Sequence, residues 1–432
     1  MKSKIINYLD GKKILILGFG REGKSAYKFI KENLNNYSLG IADLNEIQIE
    51  DDSVKVYTGE CYLESTKFYD VIIKSPGIII KDYISDEDKK KITSLTDLFL
   101  RFCDNTVIGI TGTKGKSTTS SLIHHILTNC GKKSLLIGNI GVPAFSILDE
   151  IESDTILVYE LSCHQLEYVK ASPNISILLN LYEEHLDHYT GIDSYINAKK
   201  NIYKYQTEID YLIYGDIWNY SNKEELYSVK STKIDINNND LNISYDEIET
   251  NLIGDHNKKN IITAVLATKI VGVEEKKALE AVKSFNSLEH RMEFVGEFKG
   301  IRFYNDSIAT AQEAVMNAVN SLKDVNTIII GGMDRGLDYR PLVKFLSTSS
   351  VENIILLPST NERIEKLFDE CEHNKNIISV NNMEEAVKVS YKYTKKNQTC
   401  LLSPAAASYG FYLNFEKRGE HFKQLVQEYS NI

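Results

Sequence analysis

The chain lacks paired cysteines, long apolar runs and an excess of basic residues. Its six cysteines are scattered without a C-x-x-C pair, which argues against a structural zinc site and favours a reducing cytosol. No window approaches the apolar length that a membrane span needs, and we find neither repeats nor low-complexity tracts. A net charge of −10 argues against nonspecific binding to nucleic acid or anionic membranes. We therefore expect a cytoplasmic protein with no nucleic-acid partner and no membrane insertion.

Strand-like apolar runs alternate with helical patterns along the 432 residues, which is typical of α/β units built on mostly parallel sheets. The basic, apolar N-terminal stretch runs into a glycine motif and not into a cleavage site, so we interpret it as a first strand. The length predicts three domains, at 1–95, 96–289 and 290–432. The predicted strands are 13–17, 38–43, 70–74, 107–110, 155–159, 175–179, 211–214, 302–305, 327–331, 353–357 and 399–402.

A glycine-bearing loop follows the apolar run 106–110 and leads into a helix that opens on Ser-Thr-Thr. Backbone N–H groups of such a loop, together with a helix N-terminus, bind polyphosphates. Lys116 supplies an ammonium for the outer phosphates, and the Ser117 hydroxyl is placed to bind Mg²⁺. The match to the usual P-loop is imperfect, because Ile110 stands where the first glycine is expected. The pattern predicts an ATP site formed by Gly112, Thr113, Lys114, Gly115, Lys116, Ser117 and Thr118.

A second glycine motif, Gly18-x-Gly20-x-x-Gly23, follows the first predicted strand, and Asp43 ends the next one. This is the dinucleotide fingerprint, in which the glycines let phosphates approach and the carboxylate binds a ribose hydroxyl. Alone it favours an NAD-linked oxidoreductase, although the motif requires only a nucleotide diphosphate. The turn at 75–77 follows a third strand on the same carboxyl edge, where ligands collect, but by itself it is typical of an ordinary Pro-Gly turn.

Acidic residues and histidines follow two of the central predicted strands. Glu160 comes directly after one strand, beside the phosphate loop, where Mg²⁺ ligands occur. Residues 183–188, which follow another strand, include His185 and His188 among three acids. These oxygen donors suit Mg²⁺ or Mn²⁺ better than zinc.

Taken together, these motifs resemble the ATP-dependent Mur ligase family over nearly the whole chain, from Gly11 to Phe422. The short first domain with its turn at 75–77 and the ending 402–419 resemble the branch that adds D-glutamate to UDP-N-acetylmuramoyl-L-alanine. The further motifs that carry the resemblance are Gly138-Asn139-Ile140-Gly141, Glu160-Leu161-Ser162, Asn180 to Asp187, His290-Arg291, Asn305-Asp306-Ser307, Gly331 to Gly336 and Ser403 to Ser408.

The resemblance implies an amide-forming ligase of peptidoglycan precursor synthesis that works through an acyl phosphate and uses ATP and two Mg²⁺ ions. It implies a Rossmann-like N-terminal domain, a central P-loop-type ATP-binding α/β domain and a C-terminal Rossmann-like α/β domain. We expect a monomer whose substrates are UDP-N-acetylmuramoyl-L-alanine and D-glutamate.

The resemblance also implies roles for individual residues. The catalytic positions are Lys116, Glu160, His185 and Lys199, the last as a carbamylated lysine. The metal ligands are Ser117, Glu160, His185 and carbamylated Lys199. The nucleotide further contacts Asn257, Asn260, Arg291 and Asp306. The UDP-substrate contacts Gly18, Gly20, Arg21, Gly23, Asp43, Ser75, Gly77, Asn139 and His185.

For the incoming glutamate, the resemblance implies contacts with Thr310, Arg335, Ser408 and Phe415. Arg335 stands where many relatives have a lysine, and its guanidinium can bind a carboxylate with two parallel hydrogen bonds. The chain departs from the family at Ile308, where many members have a lysine. Either that ammonium is absent here, or another residue supplies it.

Four alternatives remain open at this point. An oxidoreductase would leave the Lys116 loop without a role. A folylpolyglutamate-type ligase shares the central and final domains but lacks a domain like 1–95. Another Mur-type or an L-glutamate-adding ligase would share the chemistry, and a regulatory protein would bind ATP without turning it over.

Overall fold

The computed structural model describes residues 1–80, 83–140, 142–183, 188–189, 191–238, 241 and 248–431. The chain forms two compact units, one of Met1–Glu249 with Lys258–Lys283 and one of Thr250–Asn257 with Ser284–Ile432. Two sheets belong to the first unit and one to the second. The predicted α/β class with mostly parallel sheets is confirmed.

The first sheet has five parallel strands, and their order reverses between the first and the fourth. The strands are β1 (Lys13–Leu17), β2 (Ser38–Asp43), β3 (Lys55–Thr58), β4 (Val71–Lys74) and β5 (Ile92–Thr93), in the order β3-β2-β1-β4-β5. Open α/β sheets bind ligands at the carboxyl ends of the strands where the order reverses. The helices are α1 (Lys2–Leu9), α2 (Arg21–Asn33), α3 (Asp86–Lys90) and α4 (Leu95–Phe102), with a 3-10 helix at Tyr62–Phe68.

The second sheet has six parallel strands. They are β6 (Val107–Thr111), β7 (Ser134–Gly138), β8 (Ile156–Glu160), β9 (Ile175–Asn180), β10 (Tyr211–Asp216) and β11 (Thr232–Asp235), in the order β11-β10-β9-β6-β8-β7. The ends of β8 and β9 therefore flank the end of β6. The helices are α5 (Lys116–Asn129), α6 (Cys163–Leu166), α7 (Ile192–Lys204), α8 (Lys223–Ser228), α9 (Asp255–Ile270) and α10 (Glu275–Lys283), with a 3-10 helix at Ala144–Ile147.

The third sheet is parallel except for its first strand, which pairs antiparallel with the second. Its strands are β12 (Glu293–Phe298), β13 (Ile301–Asn305), β14 (Val325–Gly331), β15 (Asn353–Leu357), β16 (Asn376–Ser379) and β17 (Thr399–Leu402), in the order β12-β13-β17-β14-β15-β16. The helices are α11 (Gln312–Leu322), α12 (Arg340–Thr348), α13 (Asn361–Asp369), α14 (Met383–Tyr393) and α15 (Phe415–Ser430).

Buried apolar strands form the core of each sheet. In β1 the four residues after Lys13 are fully buried, and β14 and β15 are buried along their whole lengths. Parallel strands covered on both faces read as continuous apolar runs, which is why the sequence predicted them. The rings of Phe29 and Phe145 lie 5.0 Å apart, edge to face, so the core is shared between the two sheets of the first unit.

No helix among the described residues is long and apolar enough to cross a membrane.

Candidate functional site

The phosphate loop lies between β6 and α5, as predicted. Gly115 adopts a left-handed conformation with φ of 87°, and a Cβ there would lie 2.6 Å from Asn260 Oδ1. Only glycine therefore fits this position without strain. Asn180, the last residue of β9, holds the loop from the other side: the Lys114 N–H donates to its Oδ1 at 2.8 Å, and its Nδ2 donates to Lys114 O at 3.0 Å.

The ammonium of Lys116 is folded back onto this loop. It donates to Gly112 O at 2.8 Å and to Thr113 O at 2.9 Å. Ser117 and Thr118 lie in the first turn of α5, whose N–H groups and partial positive charge favour a bound anion. The loop thus presents backbone donors and an ammonium to the same region, which is the arrangement that a triphosphate requires.

Glu160 ends β8 next to the phosphate loop and is fully buried. Its Oε1 accepts a hydrogen bond from Asn139 Nδ2 at 2.8 Å, whereas its Oε2 is buried without a hydrogen-bond partner among the described residues. A buried carboxylate oxygen without a donor carries a large desolvation cost, which a cation would offset. Glu160 therefore fits a Mg²⁺ ligand.

Lys199 is buried on α7, and its Nζ donates to Gly112 O at 2.9 Å. The structure thus brings it to the phosphate loop, which residue patterns alone did not suggest. His185 lies outside the described residues. Within the described part of the chain, no three His, Cys, Asp or Glu side chains gather as a metal site.

A pocket of about 710 Å³ opens at the carboxyl edge of the first sheet and extends to the end of β7. It brings together most of the residues expected for the UDP-substrate, namely Gly18, Gly20, Arg21, Asp43, Ser75, Gly77 and Asn139. Gly23 has a different place: a Cβ there would lie 2.0 Å from Gly18 O, so this glycine allows α2 to pack against the turn.

Asp43 has hydrogen-bond partners within its own loops. Its Oδ2 accepts from the Phe19 N–H at 2.7 Å, and its Oδ1 accepts from the Asn45 N–H at 2.9 Å. These bonds join the glycine turn to the loop after β2 and fix the shape of the pocket. A contact of Asp43 with ribose stays a prediction.

The pocket also contains residues that the sequence did not reveal, among them Glu22, Gln165 and Tyr62. Gln165 Nε2 donates to Glu22 Oε1 at 3.0 Å, while Glu22 Oε2 is buried without a hydrogen-bond partner among the described residues. Burial raises the pKa of Glu22, and the hydrogen bond from Gln165 opposes this rise. Glu22 was visible inside the glycine motif, but its pairing with Gln165 is long-range and had no local signal.

In the second unit, Asp306 is buried at the end of β13. Its Oδ2 accepts from Ser403 Oγ at 2.8 Å, and its Oδ1 accepts from the Met292 N–H at 3.2 Å. Burial raises the pKa of Asp306 to about 7, while the charge of Arg291 opposes the rise. The Nε of Arg291 is itself buried without a hydrogen-bond partner among the described residues. The structure thus brings these two nucleotide candidates into one electrostatic environment.

The candidate glutamate residues lie on segments of the second unit that contact one another. The Met333 N–H donates to Ala407 O at 2.9 Å, so the loop that carries Arg335 lies beside the one that carries Ser408. Ser307 Oγ donates to Phe415 O at 2.8 Å. Arg335 is exposed and Ser408 is buried.

Arg418, which the sequence did not single out, joins these segments. It is 1% exposed, and its guanidinium donates to Ser307 Oγ at 3.0 Å, to Ser307 O at 2.8 Å and to Ala406 O at 3.0 Å. Burial lowers the pKa of Arg418 to about 10. Arg418 contacts Ser307, which directly precedes Ile308 in sequence. Its guanidinium is bonded to two backbone carbonyls and one hydroxyl, so its role in the structure is to support the loops.

Comparison with known proteins gives two domain matches: the Mur ligase middle domain matches residues 110–268, and the Mur ligase glutamate ligase domain matches residues 290–406. A UDP-N-acetylmuramoylalanine–D-glutamate ligase of Clostridium botulinum (strain Langeland) is 32% identical and aligns over 98% of each chain.

Two solved structures show the same fold at low identity. MurF ligase from Thermotoga maritima in complex with ADP has a TM-score of 0.59 at 16% identity and covers 100% of this chain and 99% of its own. FolC from E. coli in complex with ADP has a TM-score of 0.55 at 15% identity and covers 75% of this chain and 90% of its own. A quarter of this chain thus has no counterpart in the FolC structure, which represents the folylpolyglutamate-type alternative.

Proposed function

Because the chain belongs to the Mur ligase family, whose members are ATP-dependent amide-forming ligases, we propose that it joins D-glutamate to UDP-N-acetylmuramoyl-L-alanine. The observation that carries this proposal is the hydrogen bond between Asn139 in the pocket and Glu160 beside the phosphate loop. Ligation through an activated acid needs the UDP-linked acid and the triphosphate in adjoining sites, and this bond joins the two. The D-glutamate ligase named among the relatives supports the choice of substrates.

The proposal assigns the UDP-linked substrate to a domain of residues 1–95, ATP to residues 96–289 and the amino acid to residues 290–432. The glycine turn and the pocket at the end of the first sheet support the first assignment. The matches to the middle and glutamate ligase domains support the other two. We further propose that the protein acts in the cytoplasm as a monomer in peptidoglycan precursor synthesis.

In the nucleotide site, the N–H groups of residues 112–118 hold the phosphates. Lys116 leaves the carbonyls of Gly112 and Thr113 and pairs with the outer phosphate oxygens. Asn260 lies against the loop at Gly115, which supports its assignment to the nucleotide. Asn257, Arg291 and Asp306 remain proposed contacts of the nucleotide.

Mg²⁺ would be held by Ser117, Glu160, His185 and a carbamylated Lys199, and it would neutralise charge on the phosphates during transfer. The Oε2 of Glu160 is buried without a hydrogen-bond partner in the described part of the chain, which supports a cation at this position. Carbamylation would convert Lys199, which lies at Gly112 O, from a cation into an anionic oxygen ligand.

The proposed reaction has two steps. An oxygen of the terminal alanine carboxylate attacks the γ-phosphorus, the bond to the β–γ bridging oxygen breaks, and ADP leaves. The D-glutamate amine then attacks the acyl carbon of the acyl phosphate, the C–O bond to phosphate breaks, and the nitrogen loses a proton. The first step brings two anions together, so positioning and neutralisation by Lys116 supply much of the rate.

In the amino-acid site, Arg335 is proposed to bind a glutamate carboxylate, with Thr310, Ser408 and Phe415 around it. The Met333–Ala407 bond, which brings two of these segments together, supports this grouping.

A phosphate-release assay tests the proposal. The protein is incubated with ATP, Mg²⁺ and UDP-N-acetylmuramoyl-L-alanine, and D-glutamate is compared with L-glutamate, D-aspartate and no amino acid. We expect release that depends on both the UDP-linked substrate and D-glutamate. Equal release without an amino acid would contradict the ligase assignment, and faster release with L-glutamate would contradict the choice of amino acid.

A further inference from the structure

Lys74, the last residue of β4, forms an ion pair that crosses between the two sheets of the first unit. Its side chain is 2% exposed, and its Nζ lies 3.1 Å from Glu167 Oε2. The ammonium also donates to Ser75 O and Pro76 O, each at 3.4 Å. Burial lowers the pKa of Lys74, whereas the charges of Glu167 and Glu22 raise it. A buried ammonium is tolerated only when it is paired and hydrogen-bonded, and these partners supply both.

On the side of the first sheet, the pair holds the turn formed by Ser75, Pro76 and Gly77. All three residues line the pocket. Ser75 Oγ donates to Gly18 O at 2.7 Å, which joins the turn to the glycine motif. The turn is therefore fixed by the glycine motif through Ser75 and by the lysine through two carbonyls.

On the side of the second sheet, Glu167 directly follows α6, the short helix that comes after Glu160 in the chain. This helix carries Gln165, which lines the pocket and bonds to Glu22. Glu167 Oε2 also lies 3.7 Å from His188 Nε2. One carboxylate thus lies near both the lysine behind the pocket turn and His188, which belongs to the predicted metal-binding segment 183–188.

We propose that the Lys74–Glu167 ion pair is a positioning element for the UDP-linked substrate, because it holds the 75–77 turn at a set distance from α6 and the strand end at Glu160. Neither residue lines the pocket, so both act through the turn and the helix. The inference rests on the proposed function, in which an acid held by the first sheet must reach a phosphate held by the second. A misplacement of about 1 Å costs about 100-fold in rate, so a rigid link between the two sheets has a direct effect on turnover.

The test compares the single variants Lys74→Met and Glu167→Met with the double variant that carries both. Glu167→Met leaves the buried Lys74 ammonium without its carboxylate, and Lys74→Met leaves the partly exposed Glu167 carboxylate without its ammonium. We expect both single variants to unfold at a lower temperature, Glu167→Met more so than Lys74→Met. The double change removes both charges and keeps similar volume, so we expect its Tm to return close to that of the unaltered protein. A merely stabilising pair would then restore the kinetic constants together with the Tm.

We expect the double variant instead to show a KM for UDP-N-acetylmuramoyl-L-alanine raised about tenfold, a kcat lowered about tenfold and a KM for ATP within about twofold of the original. The matched control is Lys31→Met with Asp51→Asn, which removes another ion pair of the first unit, with an N–O distance of 2.8 Å, away from the pocket lining. The control should leave all three constants unchanged.

Unaltered constants in a double variant with restored Tm would overturn the inference. If the double variant fails to fold, Lys74→Arg replaces it, because the longer guanidinium keeps the charge but displaces the turn. Unaltered kinetic constants in Lys74→Arg would also overturn the inference.

Binding of UDP alone, measured by calorimetry, separates this inference from the proposed function. A protein that shows no D-glutamate-dependent turnover refutes the function, whereas UDP binding that is unaffected by the double change refutes the positioning role.

Discussion

Asn139 Nδ2 donates a hydrogen bond to Glu160 Oε1 at 2.8 Å. Asn139 follows β7 and lines the pocket, whereas Glu160 ends the neighbouring β8 beside the phosphate loop. The bond leaves the second carboxylate oxygen of Glu160 buried and without a hydrogen-bond partner among the described residues. One oxygen of this carboxylate is thus bonded to a residue that lines the pocket, and the other is available to a cation.

Replacing Glu160 with glutamine tests the metal assignment. The amide oxygen still accepts the hydrogen bond from Asn139, but the negative charge is lost. We expect the Mg²⁺ concentration for half-maximal turnover to rise at least about tenfold, with a lower kcat. The measurement is phosphate release as a function of Mg²⁺, with Glu152→Gln, a change at an exposed carboxylate, as control. A Glu160→Gln variant with the original Mg²⁺ dependence would contradict the assignment.

Replacing Lys116 with alanine tests the phosphate site. Its ammonium now bonds to Gly112 O and Thr113 O, and no other side chain is expected to replace it on the outer phosphates. We expect kcat to fall by about 10²–10³-fold, as for loss of one preorganised donor to developing charge. Steady-state ADP formation measures the effect, and Lys133→Ala, at a half-exposed surface ion pair, serves as control. Equal turnover in both variants would place the triphosphate elsewhere.

Because burial raises the pKa of Asp306, we expect the stability of the folded protein to depend on pH. Its pKa is about 7 in the folded protein, against 3.8 for an unperturbed aspartate, so the folded state keeps a proton that the unfolded chain releases. The stability associated with the neutral carboxyl is complete below about pH 4 and is lost as the pH rises through 7. Once the carboxyl is ionised, the loss is on the order of 4 kcal/mol.

Asp306→Asn should therefore gain stability relative to the unaltered protein as the pH rises from about 5 to 8. The amide oxygen can accept from the Met292 N–H, and the Ser403 hydroxyl can rotate to accept from the amide nitrogen. Thermal unfolding at a series of pH values measures the difference, with the exposed Asp369→Asn as control. Parallel Tm curves for Asp306→Asn and the unaltered protein would show that Asp306 is ionised throughout.

We expect the Arg335 side chain to contribute to the affinity for D-glutamate. Arg335→Ala should raise the KM for D-glutamate about 10–100-fold, since a hydrogen bond to a charged group contributes about 1.5–3 kcal/mol. The KM for ATP should stay within about twofold, because the side chain is proposed to contact only the amino acid. Arg340→Ala is the matched control, since Arg340 is also exposed and bonds to Asp338. An equal effect of both variants would indicate a general loss of positive charge and not a binding site.

Most of the fold could be predicted because its strands are local signals. Buried parallel strands such as β1, β2, β15 and β17 are continuous apolar runs, and their predicted bounds match the structure. Among the missed strands, β3, β11 and β16 have four residues each and are exposed or half-buried, so they lack that signal.

The sequence by itself determined the phosphate loop, the glycine turn and the order of the family motifs, because each depends on neighbouring residues at fixed spacing. Only the tertiary structure decided that Asn139 bonds to Glu160, that Lys74 pairs with Glu167 and that Arg418 holds Ser307. These contacts join residues far apart in the chain, and their charges are tolerated inside the protein only through partners that folding brings together. Burial, which no local pattern specifies, likewise sets the pKa of Asp306.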